Sequence, residues 1–305
     1  MLKLCCMEQF IVAMIKDMEH QLCGGVELGG TKTICAIADA NGAIAANVTF
    51  PTTNVDETFE KIFEFFEQNQ PVVALGVGSF GPVQLSTSSA EFGWIYNSPK
   101  PGWSNVNVKG LLEQRLGLAV SIDTDVNCAA LGELHYGVAQ NVRSFVYLTL
   151  GTGIGGSLVH EAKLVHGILN LEMGHMRVPH EPFTDGFGGA CVFHGDCLEG
   201  ISSGYAMAQR YGKKPQEITD MEVWDIEAGY IASAVNNLMM TVGPELIVIG
   251  GGLTNHSNLM ALIRAAVQQD VNNYLRFPDL ESYIVQASSD KNGVLGAIKL
   301  NSLTN

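Results

Sequence analysis

Residues 24–50 read GGVELGGTKTICAIADANGAIAANVTF, three short apolar runs separated by glycine turns and a break at Ala40-Asn41-Gly42. Apolar runs of that length, punctuated by glycine and asparagine, predict strands joined by tight turns, the opening of a β-meander. After a turn-like PTTN the period changes. In VDETFEKIFEFFEQ (55–68), Phe59, Ile62, Phe63 and Phe66 fall at i, i+3, i+4 and i+7, the buried face of an amphipathic helix. VVALGVGSFGP (72–82) reads as a buried strand ending in a Gly-Pro loop, VNVKGLLEQRLG (106–117) as a helix and AVSIDTD (119–125) as a strand. This is one α/β lobe.

A second series opens near Asn127: helix NCAALGELHYG, strand SFVYLTLG, turn GTGIGG and strand SLVHEAKLV. Further on come helical EAGYIASAVNNLMMTV (227–242), strand ELIVIGGGL, helix NLMALIRAAVQQDVNNYL (258–275), strand SYIVQAS and helical VLGAIKLN. A similar order of elements thus occurs twice. That favours two α/β lobes with a cleft between them over a single doubly wound domain.

The composition narrows the function. With 305 residues, 47% of them apolar, the chain can bury a large core. Its 17 basic against 31 acidic side chains give a charge of -14, and no run of Lys or Arg offsets it. A nucleic acid or an anionic membrane is therefore excluded as the main partner, and any phosphate must be held locally by backbone amides or a metal ion. Cys5, Cys6, Cys23, Cys35 and Cys128 lie scattered in apolar surroundings, as free thiols of a reducing compartment do. In the first 22 residues Glu8, Lys16 and Asp17 confine the apolar run to FIVAMI, too short for a signal or a span. A cytoplasmic protein is expected, with residues 1–22 an extension outside the fold.

Three glycine turns each follow an apolar strand: ELGGTKT (27–33), GTGIGG (151–156) and IGGG (249–252). Any one of them could be a plain hairpin turn; three together suggest backbone amides gathered around phosphate. GTGIGG has the dinucleotide spacing, but a strand-like segment follows it where that fingerprint needs a helix, so a nicotinamide site is rejected. ELGGTKT lacks Walker spacing. Thr31, Lys32 and Thr33 beside paired glycines can still hold a phosphate, and Glu27 can position Mg2+ through water. Asp123 and Asp125 stand where a strand gives way to a helix, the place for a reacting base in α/β folds and equally a place for helix N-caps.

ELGGTKT, SFGPV, TDVNCAALGE, LGTGIGG, EMGH, a CxxHxxC cluster followed by LEG, and VIGGG occur in the order and approximate spacing of the ROK family of sugar kinases and repressors. The resemblance runs from about Gly24 to Gly296. It implies an actin-like ATPase fold of two α/β lobes. These would be a small lobe 23–124, to which a C-terminal helix within 291–305 returns, and a large lobe 125–290 carrying a zinc loop at 175–197. It implies transfer of the ATP γ-phosphoryl group to a hexose with Mg2+, and a homodimer as the family habit. Residue by residue, Asp125 matches the catalytic base and Asp123 a structural position. Gly81, Pro82, Thr124, Asp125, Glu172, His175 and Glu199 match sugar contacts. Gly29, Gly30, Thr31 and Lys32 match the first phosphate loop, Gly151, Thr152, Gly153 and Gly155 the second, and Gly251 and Gly252 the adenosine side.

The chain departs from the family's commonest pattern where Thr124 replaces an Asn and where Cys191, His194 and Cys197 replace a CxCGxxGC cluster. That cluster and FGWIYNSPKPGW (92–103) resemble the fructokinase branch, implying D-fructose as substrate. Glucose, mannose or an N-acetylhexosamine would keep every catalytic role, while a repressor would need an N-terminal DNA-binding module longer than 22 residues. Lys100 or Trp103 is expected to close over the sugar. Cys191, His194 and Cys197 have the spacing of three zinc ligands on one loop, and on sequence distance either His175 or His180 completes a tetrahedron. The resemblance selects His175. Four protein ligands leave no open position, so the zinc is expected to be structural.

Overall fold

The structure is a computed structural model and describes residues 21–69, 71–168, 170–180 and 186–303. Residues 1–20 of the expected extension lie outside them, while the carbonyl of Leu22 accepts the N–H of Val73 at 3.0 Å. The chain divides into two compact units, one running to Gly132 and resuming at Gly293, the other Glu133–Asn292.

In the first unit β1 (Cys23–Leu28), β2 (Lys32–Ala38) and β3 (Ile44–Pro51) form the meander, followed by α1 (Val55–Gln68) and β4 (Leu75–Ser79). A short ribbon of β5 (Trp94–Ile95) and β6 (Val106–Asn107) leads into α2 (Val108–Leu116), β7 (Val120–Thr124) and α3 (Asp125–Tyr136). The sheet order is β3-β2-β1-β4-β7, with β1, β4 and β7 parallel. Asn54 caps α1 by accepting the N–H of Glu57, and Phe59, Ile62, Phe63 and Phe66 are buried as the periodicity requires. Each such side chain contributes about 2 kcal/mol by leaving water. The C-terminal helix (Asn292–Leu300) packs on this sheet so closely that a Cβ at Gly76 would strike the carbonyl of Ala297. One at Gly296 would strike the carbonyl of Cys128 on α3. These contacts hold the first half of α3 in the first unit, so the division falls inside that helix, eight residues beyond the Thr124 boundary read from sequence.

The second unit has β8 (Phe145–Leu150), β9 (Ile154–His160) and β10 (Lys163–Leu164), then α4 (Leu198–Ser202), α5 (Gly204–Tyr211), α6 (Met221–Val242), β11 (Leu246–Gly250), α7 (Leu259–Val271), α8 (Leu280–Tyr283) and β12 (Ile284–Gln286). Its sheet order, β10-β9-β8-β11-β12, repeats the first sheet strand for strand, two antiparallel pairings followed by two parallel ones. The repetition read from the order of elements is thus a repetition of topology. Some local readings needed correction. SLVHEAKLV is a hairpin, not one strand, because Glu161 and Ala162 take left-handed φ values of 51° and 61°, a turn neither residue type advertises. The helix read from Glu227 begins at Met221, capped by Asp220, and the one read to Leu275 stops at Val271, where Asn272 turns left-handed. Among the described residues no helix is long and apolar enough to cross a membrane.

Candidate functional site

In the first unit the candidate residues collect at one edge. Parallel strands β1, β4 and β7 pair as Leu28↔Ser79 and Ser79↔Thr124, so their C-terminal ends lie side by side. From those ends issue Gly29–Lys32, Gly81-Pro82 and Thr124-Asp125, the place where α/β folds bind ligands. The loop Gly29–Lys32 is a tight turn whose carbonyls are all engaged. Gly29 O accepts the Thr52 hydroxyl at 2.7 Å, Gly30 O the Lys100 ammonium at 2.9 Å, Thr31 O the Thr52 N–H at 2.9 Å and Lys32 O the Gly29 N–H at 3.0 Å. The side of Gly30 where a Cβ would project is open, with no atom within 4 Å. Thr52 escaped the sequence reading, although the meander register Lys32↔Pro51 could have placed it beside the loop.

Asp125 opens α3 and keeps part of its surface exposed, as a base that must reach a substrate requires. Its Oδ1 accepts the N–H of Val126 at 2.9 Å. Burial raises its pKa to about 6, against the opposing pull of backbone hydrogen bonds from Val126 and from its own amide. Its neighbours divide the structural work. Asp123 is buried and accepts the Thr124 N–H at 2.7 Å and the Asn127 amide at 2.6 Å, while the Thr124 hydroxyl caps α3 by accepting the Asn127 N–H at 3.1 Å. The cap that sequence offered to either aspartate thus belongs to Thr124. Gly78 lets this corner close, since a Cβ there would lie 2.8 Å from Cys128 Sγ. Burial first, then the charges of the Asp123, Asp125 and Glu27 carboxylates, push the Cys128 thiol well up. Oxygen donors of that kind suit Mg2+. Glu27 also lies against the start of the C-terminal helix, where a Cβ at Gly293 would be 2.6 Å from its Cδ.

Trp103 is not free to close over a substrate as expected, and the Lys100 ammonium is turned toward the first glycine loop. Trp103 is fully buried against Phe59 and Phe80 and donates its indole N–H to Thr53 O at 2.9 Å, an anchor for the segment. Lys100 reaches the first glycine loop, donating also to Thr52 O at 3.0 Å.

In the second unit the turn after β8 is held by the start of α5. Gly151 O accepts the Gly204 N–H at 2.8 Å and Thr152 O the Tyr205 N–H at 3.1 Å. Glu199, expected at the sugar, accepts the N–H of Ile154 at 2.9 Å and so braces this turn. Gly155 lies within β9, paired with Thr149, rather than in the turn itself. Gly251 has a φ of 91° and sits so close to Leu150 that a side chain would meet its backbone, which sets the second and third glycine turns side by side. Gly252 begins the single helical turn that follows.

The Cys/His cluster assembles from two loops. Cys191, His194 and Cys197 come from 191–197, and His175 from the turn after Glu172, which is exposed. His175 Nδ1 lies 3.5 Å from Cys197 Sγ and 3.8 Å from Cys191 Sγ; His194 Nδ1 lies 3.6 Å from Cys191 Sγ and 3.2 Å from His175 Nδ1. Zn–S bonds of about 2.3 Å and Zn–N bonds of about 2.0–2.1 Å at tetrahedral angles predict edges of about 3.5 Å for S–N and about 3.3 Å for N–N. The measured separations match those edges, and all four donors lie within 4.8 Å of one another, a spacing that fits zinc. His180 is outside this set, its side chain buried edge-on to Tyr230 with Nδ1 3.7 Å from Asp196 Oδ2. Asp196, beside Cys197, also pairs with Arg177, two residues from His175, and so ties the two loops together.

A family model described as "ROK family" matches residues 23–302. The chain is 40% identical over 272 residues to a fructokinase of Lactococcus lactis subsp. cremoris, covering 88% of this chain and 92% of that protein. Identity to a glucokinase of Halalkalibacterium halodurans is 28% over 274 residues, 75% of this chain and 80% of that one. A ROK family glucokinase from Streptomyces griseus, solved in complex with glucose and AMPPNP, superposes with a TM-score of 0.76 at 24% identity, over 92% of this chain and 98% of that chain, a likeness of fold.

Proposed function

This chain belongs to the ROK family and has its actin-like α/β fold, and on that premise we propose that it phosphorylates D-fructose to D-fructose 6-phosphate with ATP. The higher identity to the fructokinase than to the glucokinase supports fructose over glucose. The observation that carries the chemistry is Asp125, partly open at a strand end and with a pKa of about 6. Such a carboxylate is ionised at neutral pH, yet basic enough to take the proton of the sugar hydroxyl as that oxygen attacks phosphorus. Two backbone amides orient it, so little reorganisation is needed at the moment of transfer. Gly81, Pro82 and Thr124 share its edge and are assigned to the sugar, as are Glu172, His175 and Glu199. Gly29, Gly30, Thr31 and Lys32, with Gly151, Thr152, Gly153 and Gly155, hold the phosphates, and Gly251 and Gly252 border the adenosine.

Glu27 would help hold Mg2+ through water. The ion supplies neutralisation of charge on the β- and γ-phosphate oxygens. His175, Cys191, His194 and Cys197 would hold Zn2+, a closed set that pins 172–176 to 191–197 and leaves the second nitrogen of His175 for the sugar. A homodimer and a cytoplasmic setting, where ATP is supplied, complete the reading. The test is ADP release on a panel of fructose, glucose, mannose and N-acetylhexosamines. Absence of fructose turnover, or faster turnover of glucose, overturns the specificity.

A further inference from the structure

Lys100 is mounted more firmly than a surface lysine. Prolines 99 and 101 flank it, its N–H donates to Ser98 Oγ at 3.2 Å, its carbonyl accepts the Trp103 N–H at 3.2 Å, and Trp103 is locked in the core. From that mount the ammonium crosses 70 positions of sequence to Gly30 O and 48 to Thr52 O. Both acceptors shape the loop Gly29–Lys32, since Thr52 binds Gly29 O by its hydroxyl and Thr31 O by its amide.

A peptide unit is planar and trans, so its carbonyl and its N–H point in opposite directions. Fixing the carbonyl of Gly30 therefore fixes the direction of the Thr31 N–H, and the ammonium adds a positive charge to a loop that otherwise carries Lys32. The chain's net charge of -14 makes that local cation matter for a polyanionic ligand. We propose that Lys100 is a positioning residue for nucleotide, holding the loop Gly29–Lys32 in its phosphate-binding shape and lending it charge. The inference rests on the reading of that loop as an ATP site and not on which sugar is phosphorylated.

The experiment is titration calorimetry of the full chain with Mg-ATP without sugar, on the wild type, K100M and K100R, followed by KM for ATP and for fructose. Misplacement by about 1 Å can cost about 100-fold in rate, and a lost charge-assisted hydrogen bond about tenfold in affinity. The expected result is Mg-ATP binding about tenfold weaker in K100M and restored to within about threefold in K100R. KM for ATP should rise in parallel, while KM for fructose stays within about twofold. Mg-ATP binding by K100M within twofold of the wild type overturns the proposal, as does an equal rise in both KM values. Should K100M fail to fold, K100Q takes its place: it keeps a donor for the carbonyls but no charge, and binding equal to that of K100R overturns the proposal. A wild type that binds Mg-ATP but leaves fructose untouched removes the fructokinase reading alone.

Discussion

Asp125 and the Cys/His cluster are both built from polar side chains at the ends of secondary-structure elements, and they are built for opposite ends. Asp125 is a single carboxylate, partly open, whose pKa burial has raised to about 6. The cluster gathers four donors within 4.8 Å of one another, drawn from two loops and braced by Arg177 and Asp196. A group that exchanges a proton needs an open side and a tuned pKa; a group that fixes geometry needs every coordination position filled. One region should therefore govern turnover, the other shape.

The sharpest way to break that division is Asp125→Asn. Turnover should fall about 1,000- to 10,000-fold while Mg-ATP binding and the circular dichroism spectrum stay unchanged; a variant retaining a tenth of wild-type kcat would remove Asp125 from the chemistry. Zinc removal by a chelator, or Cys197→Ala, should raise KM for fructose about tenfold and lower the melting temperature together, with kcat changed less. Full activity at unchanged stability in protein proven metal-free would refute the shaping role. The pH profile comes next in size. Since the base must be ionised, kcat/KM should drop about tenfold per pH unit below the pKa near 6 and level off above it.

Two smaller effects sharpen the picture through stability. The folded state holds the Asp125 proton more tightly than the unfolded chain does. The cost of ionising it is therefore absent well below the unfolded pKa of 3.8 and complete above the folded pKa near 6. Discounted for partial exposure, Asp125→Asn should stabilise the protein by about 1–2 kcal/mol at pH 7.5 and by much less at pH 4, read by urea denaturation. Thr124→Ala removes the cap on α3 and should cost about 1 kcal/mol at any pH.

Much of this was legible in the chain. Period and turn residues act within a few positions, so they fixed the meander, the extent of α1 and the glycine turns, and the cluster's three loop ligands lie within seven residues. Asp125 was legible as one of two acids at a strand end, but which acid stays open depended on the cap, and the cap went to Thr124 through a hydrogen bond three residues on. His175 against His180 was not decidable from residue spacing alone, because both lie upstream at workable distances; the two loops meet in space with His175 facing the cysteine sulfurs and His180 packed on Tyr230.

By itself, then, the sequence determined which elements form, which face of each is apolar and which chemical groups stand at their ends, since these follow from local sterics, periodicity and side-chain type. The tertiary structure alone decided the matched order of the two sheets, the burial of Trp103 in place of a lid, the bracing of the second turn by Glu199, and the reach of Lys100 to Gly30. Each of those joins residues tens of positions apart, and such pairings are set by how whole faces pack, which no short window of sequence encodes.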